Sequence, residues 1–226
     1  MAIYNAFMST RSVDYLEAID HLPEGTILIF PEVSWEQYEG LLEDLVNRPG
    51  LRVSYDDGRL EIVSPLPEHE DYKDFVSHAV RAISDELGIE LEPRGSSAWK
   101  RRIFRKGAEP DTCFYVANAH RIIGKPKIDL ESDPPPDIGV EIDMTNESLS
   151  KFPIYAALGV PEIWRYDGKR FQMYQLEGDT YTETGASRFF PNLSCPMLAN
   201  ALELSKTQGH TQALRKFRQE IRVLRP

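Results

Sequence analysis

Cysteine is nearly absent: there are two in 226 residues, Cys113 and Cys195, far apart and without a CxxC spacing. That excludes a disulfide framework or a thiolate zinc site as the basis of the fold, and it suits a reducing compartment. Long apolar runs are missing too. TILIF (26–30) and IYAALGV (154–160) fall far short of the roughly 20 residues that a membrane span needs. The opening stretch MAIYNAFMSTRSVDY has no basic segment followed by an apolar one, so no secretory signal is expected and a cytoplasmic protein is. No repeat of fixed period and no low-complexity tract stands out. Positive charge is in short supply, with 26 Lys and Arg against 36 Asp and Glu, a net charge of −10. This excludes a protein whose whole surface attracts polyanions, but not a local basic surface or a metal that bridges to phosphate.

What is present is an ordinary globular composition, 41% hydrophobic and 27% charged, sufficient for a sizeable core. The length suits one domain, 1–226, with a helical extension from about residue 197. Residues 12–22 suit a short helix and TILIF a strand. Ser34 with Gln37 three positions on predicts a capped amphipathic helix to about Asn47. RVSYDDGRLEIV (52–63) reads as a hairpin about a type I′ turn at Asp57-Gly58. Phe75, Val76, Ala79, Val80, Ile83 and Leu87 form a helical stripe between about Glu68 and Leu87, closed by Gly88. Strands follow near 89–93, 97–104, 111–117 and 138–143, with a long excursion from His120 to Pro136. Pro153 belongs in the first turn of the next helix. EIWRYD and FQMYQLE flank a turn at Asp167-Gly168, a strand lies near YTET, and helices at about 197–206 and 210–224 end the chain. This order predicts a mixed α/β fold, a mixed sheet flanked by helices.

The chemistry is concentrated in DPPPDIGVEIDMTNES (133–148). Alternation puts Ile138, Val140 and Ile142 on one strand face and Asp137, Gly139, Glu141 and Asp143 on the other. That second face is either a wet surface that happens to be acidic or a carboxylate face that holds a cation. EPDTCFYV (109–116) offers a counterpart, in which Asp111 shares a face with Cys113 and Tyr115. Asp111 and Glu141 together match the habit of Mg²⁺, which takes one or two carboxylates and completes its shell with water and phosphate oxygens. Lys151, just ahead of Pro153, can orient a nucleophile or stabilise charge on a phosphate, although most lysines are surface residues. WKRRIFRK (99–106) reverses the local charge, and Arg101, Arg102 and Arg105 suit phosphate contacts or ion pairs with the surrounding acids. His69 titrates near neutrality and has no second histidine at ligand spacing, so it suits a supporting place beside the site.

Pro110-Asp111 followed by Glu141 resembles the Pro-Asp…(Asp/Glu)-x-Lys pattern of restriction-endonuclease-like nucleases. LEIVSPLPEHEDY, EPDTCFYV, PPPDIGVEID and KFPIYAALGVPEIWRYDG together resemble the Uma family of bacterial endonucleases over roughly residues 10–195. The resemblance implies a restriction-endonuclease-like core, hydrolysis of DNA with Mg²⁺ or Mn²⁺, and a homodimer. It assigns Asp111 and Glu141 as metal ligands and, from the preceding helix, Glu70, with Glu68, His69 and Asp71 as competitors. Asp143 stands where the pattern has its lysine, and Lys151 is the substitute from the following helix. A catalytically degenerate nuclease fold that binds or assembles is the competing reading.

Overall fold

The computed structural model describes residues 3–5, 19, 22–46, 50–143, 150–190 and 193–223. The helix expected at 12–22 lies outside these residues apart from Ile19 and Leu22. So do Asn47, the expected helix end, and the MTNES portion of the acidic motif.

Among the described residues, two mixed six-stranded sheets carry the fold. The first contains β1 (Ile3–Asn5), β2 (Ile27–Phe30), β3 (Arg52–Asp56), β4 (Arg59–Val63), β6 (Trp99–Arg101) and β7 (Lys106–Ala108), in the order β1-β2-β4-β3-β7-β6. The second contains β5 (Glu92–Pro93), β8 (Thr112–Tyr115), β9 (Ile138–Ile142), β10 (Glu162–Tyr166), β11 (Phe171–Glu177) and β12 (Thr180–Thr184), in the order β12-β11-β10-β9-β8-β5. The mixed α/β class is therefore observed, with the strands shared between two sheets rather than gathered into one. β7 was not anticipated, because its few residues close the basic stretch and show no alternation.

Local chemistry sets the element ends. Helix α1 (Trp35–Leu45) opens with the expected capping box: the Ser34 N–H donates to Gln37 Oε1 at 2.7 Å and the Gln37 N–H to Ser34 Oγ at 3.1 Å. Between β3 and β4, Asp57 (φ 41°) and Gly58 (φ 100°) are both left-handed, as a type I′ turn requires. Helix α2 (Pro67–Leu87) has its proline in the first turn and ends at left-handed Gly88, φ 66°.

The remaining helices among the described residues are α3 (Ala119–Ile122), α4 (Phe152–Leu158), α5 (Cys195–Gln208) and α6 (His210–Val223). One face of the second sheet packs Phe114, Ile138, Val140, Ile142 and Trp164 against the apolar stripe of α2 and against α5 and α6. The opposite face packs Cys113, Tyr115 and Ile163 against Ile154, Tyr155 and Leu158 of α4. The alternation read from β8 and β9 is thus obeyed. The idea of a wet acidic face is not. Asp137, Glu141 and Asp143 are 1%, 4% and 9% exposed. They are enclosed respectively by the turn at Val116 and Asn118, by Lys151 and Tyr155 of α4 and its cap, and by Arg165 of β10.

Candidate active site

β8 and β9 run antiparallel with Thr112 opposite Val140 and Cys113 opposite Gly139, and continuing that register sets Asp111 opposite Glu141. The ladder holds the first acid directly. Asp111 N–H donates to the Val140 carbonyl at 3.0 Å, and the Ile142 N–H donates to Asp111 Oδ2 at 2.7 Å.

Glu141 meets α4. Lys151 caps that helix, and its ammonium donates to Glu141 Oε2 at 2.7 Å and to the Glu109 carbonyl at 3.4 Å. One turn on, the Tyr155 hydroxyl donates to Glu141 Oε1. Burial pushes the Glu141 carboxyl up to about 7, with Lys151 opposing that rise and the Asp111 charge adding to it. Burial also raises Glu109, next to Pro110, to about 7 against the pull of Arg52 and Lys151.

α2 delivers a third wall. Glu70 Oε1 accepts from Arg52 at 2.9 Å and Oε2 accepts from Lys73, while Arg52 Nε reaches Asp111 Oδ1 at 3.3 Å. Glu70 therefore meets Asp111 through a guanidinium rather than at a shared point. His69 lies within electrostatic reach of Asp111, Asp143 and Glu70, and burial keeps its imidazole below the ordinary histidine range. Its Nε2 is buried and has no hydrogen-bond partner among the described residues. Asp143 takes Arg165, whose Nε donates to Oδ2 at 3.0 Å.

Asp111, Glu141, Lys151, Glu70, His69 and Asp143 thus converge where β8, β9, α2 and α4 meet. Arg101, Arg102 and Arg105 do not join them. They lie at the edge of the first sheet, on β6, a 3₁₀ turn (Arg102–Phe104) and the residue before β7. Arg101 Nε donates to the Leu130 carbonyl at 3.0 Å, Arg102 Nη1 to Glu36 at 2.8 Å and Arg105 Nε to Asp57 at 2.6 Å. The ion-pairing alternative describes two of the three arginines.

Four site residues went unnoticed in the sequence. Tyr155 carried a signal, because it lies four positions after Lys151 and so shares its helix face. Arg165 sits beside Glu141 in the parallel β9–β10 register, which no linear pattern reveals. Arg52 opens the β3–β4 hairpin and Glu109 precedes Pro110, positions that carry no signal of a shared site. Only the packing of the two sheets brings them here.

Among the described residues, no group of three or more His, Cys, Asp or Glu side chains is arranged to hold a metal ion. The donor chemistry fits a sparser site, with two hard carboxylates on adjacent strands and the remainder left to water and substrate oxygens.

A mixed α/β core with two acids on neighbouring strands agrees with the restriction-endonuclease-like pattern, while the lysine stands at the start of the next helix instead of two residues after the second acid. A family model described as "Uma2: Putative restriction endonuclease" matches residues 35–207, and the chain belongs to that family. Among solved structures, it is similar to a crystal structure at 1.96 Å of "a putative nuclease belonging to DUF820" from Anabaena variabilis. The identity is 15%, the match covers 66% of this chain and 90% of that one, and the TM-score is 0.44. No curated protein matches the chain significantly. No helix among the described residues is long and apolar enough to cross a membrane.

Proposed function

We propose that this protein is an endonuclease that hydrolyses phosphodiester bonds in DNA with Mg²⁺ or Mn²⁺ held by Asp111 and Glu141. The observation that carries the reading is the Lys151 ammonium at 2.7 Å from Glu141, opposite Asp111 in the β8–β9 register. It supplies from α4 the positive charge that the nuclease pattern has two positions after the acid, where this chain has Asp143. When bound, the ion supplies positive charge that polarises a phosphodiester oxygen and acidifies water.

The side chains do the rest. The Ile142 N–H and Arg52 hold the Asp111 carboxylate from two sides, and the Tyr155 hydroxyl and Lys151 hold Glu141. The Lys151 ammonium, held on Glu141, is the positive charge placed to meet a phosphate oxygen or an attacking water. Glu70 contributes charge through Arg52, and His69 lines the same space. Arg102 and Arg105 meet flanking phosphates by exchanging their intramolecular acids, a small change for exposed pairs, and Arg101 does so by leaving the Leu130 carbonyl. The homodimer belongs to the same proposal, and sedimentation velocity on the full chain tests it.

Cleavage of supercoiled and linear DNA with Mn²⁺ is the test, comparing the wild type with Lys151→Met. Equal rates in the two proteins would remove Lys151 from the chemistry. The competing reading, a degenerate fold that binds or assembles, is favoured by one observation: all four carboxylate oxygens of Asp111 and Glu141 already have protein partners. That reading takes over if the wild type cuts no substrate and Mn²⁺ leaves its unfolding temperature unchanged.

A further inference from the structure

The acid site contains a cation that the nuclease pattern does not call for. Arg52 opens β3 in the first sheet, yet its side chain is only 6% exposed and ends among the acids of the second. Nη2 donates to Glu70 Oε1 at 2.9 Å, Nε to Asp111 Oδ1 at 3.3 Å and Nη1 to the Leu51 carbonyl at 3.3 Å. Burying a guanidinium is unfavourable unless each of its forks is satisfied, and for stability alone an apolar side chain of similar volume serves as well. Here the fork joins a strand acid to a helix acid. Its two acidic bonds are unequal: the contact with Asp111 is long, whereas Glu70 is held closely and is itself steadied by Lys73.

A divalent ion and a guanidinium seek the same carboxylate oxygens for the same electrostatic reason, so they compete for Asp111. We propose that Arg52 is the resident counter-ion of the acid site. It is a positioning residue that keeps Asp111 and Glu70 in place and yields Asp111 Oδ1 to an incoming divalent cation while staying anchored on Glu70. The inference rests on the metal-dependent reading above. It makes divalent affinity a balance between the ion and an internal competitor, which a purely structural arginine does not do.

Mn²⁺ alone is the probe. Bound Mn²⁺ is measured by electron paramagnetic resonance, and thermal unfolding is followed with and without the ion, for the full chain as wild type, Arg52→Met and Arg52→Lys. Arg52→Met is expected to unfold at a lower temperature without metal, since Asp111 and Glu70 both lose the guanidinium that joins them. It should also bind Mn²⁺ about tenfold more tightly, equivalent to about 1.4 kcal/mol, and recover more stability from it. Arg52→Lys, which keeps the charge without the fork, falls between. Mn²⁺ affinity in Arg52→Met equal to or weaker than that of the wild type overturns the inference and leaves the metal-dependent reading standing. Mn²⁺ binding by none of the three proteins overturns both. Should Arg52→Met fail to fold, Arg52→Lys carries the comparison: tighter binding than wild type supports the inference, and equal or weaker binding overturns it.

Discussion

The junction of β8, β9, α2 and α4 and the edge formed by β6 and β7 are both rich in charge, but they hold it differently. At the junction Asp111, Glu141, Asp143 and Lys151 are nine-tenths buried or more. At the edge Arg102 and Arg105 are exposed and pair with exposed Glu36 and Asp57. A surface ion pair forms wherever long side chains of opposite sign meet, and it contributes little. A buried carboxylate is tolerated only when specific partners satisfy it, so its position is selected. Buried charge therefore indicates a function more strongly here than abundant charge does. The densest cationic stretch of the sequence turns out to be largely a set of local ion pairs.

The sharpest way to break this contrast is to remove a junction acid. Asp111→Ala or Glu141→Ala is expected to abolish Mn²⁺ binding and to lower DNA cleavage by about a hundredfold or more. Isothermal titration and single-turnover cleavage would measure this, and unchanged Mn²⁺ affinity in both variants would take the two acids out of the metal shell.

Lys151→Met should lower turnover by about a hundredfold as well, within the range of losing one stabilising donor, but leave Mn²⁺ affinity nearly intact. Its fold should survive best in mildly acidic buffer. There Glu141, with its carboxyl near 7, takes a proton instead of remaining a buried anion without its counter-ion.

A pH series sharpens the comparison further. Glu141 and Glu109 are raised from 4.5 to about 7, so between those values the folded protein binds more protons than the unfolded chain. Their contribution to stability is then present below about pH 4.5 and declines as pH rises towards 7, after which it is flat. Thermal unfolding across this window should show the decline, and Glu141→Gln should flatten part of it. An identical slope in the variant would mean that Glu141 titrates normally. The edge arginines are exposed and should not affect this profile.

The smallest effect is expected at the edge. Replacing Arg101, Arg102 and Arg105 with alanine should scarcely alter thermal stability. If they also meet phosphates, it should weaken duplex binding and flatten its dependence on salt. Fluorescence anisotropy at several salt concentrations decides between the roles, and an unaltered slope assigns the cluster to intramolecular pairs alone.

Much of this architecture was legible in the chain because it is governed locally. The Ser34 and Gln37 cap, the Asp57-Gly58 turn, the stripe along α2 and the alternation of β8 and β9 each depend on neighbours a few residues away. That locality also let Asp111, Glu141 and Lys151 be singled out together. What remained hidden is non-local. Arg52 lies 59 residues from Asp111 and Arg165 lies 22 from Asp143, and nothing in sequence spacing predicts either contact.

By itself, then, the sequence determined most of the elements and which face each strand residue occupies, because backbone propensity and side-chain alternation act over single turns and strands. The tertiary structure decided that the acidic face is buried, with Glu141 against Lys151 and Tyr155, that Arg52 crosses from the first sheet to Asp111 and Glu70, and that the basic stretch is occupied by acids of α1 and the β3–β4 turn. Those outcomes follow from desolvation and pairing between distant segments, and these acquire values only when packing sets the distances between charges.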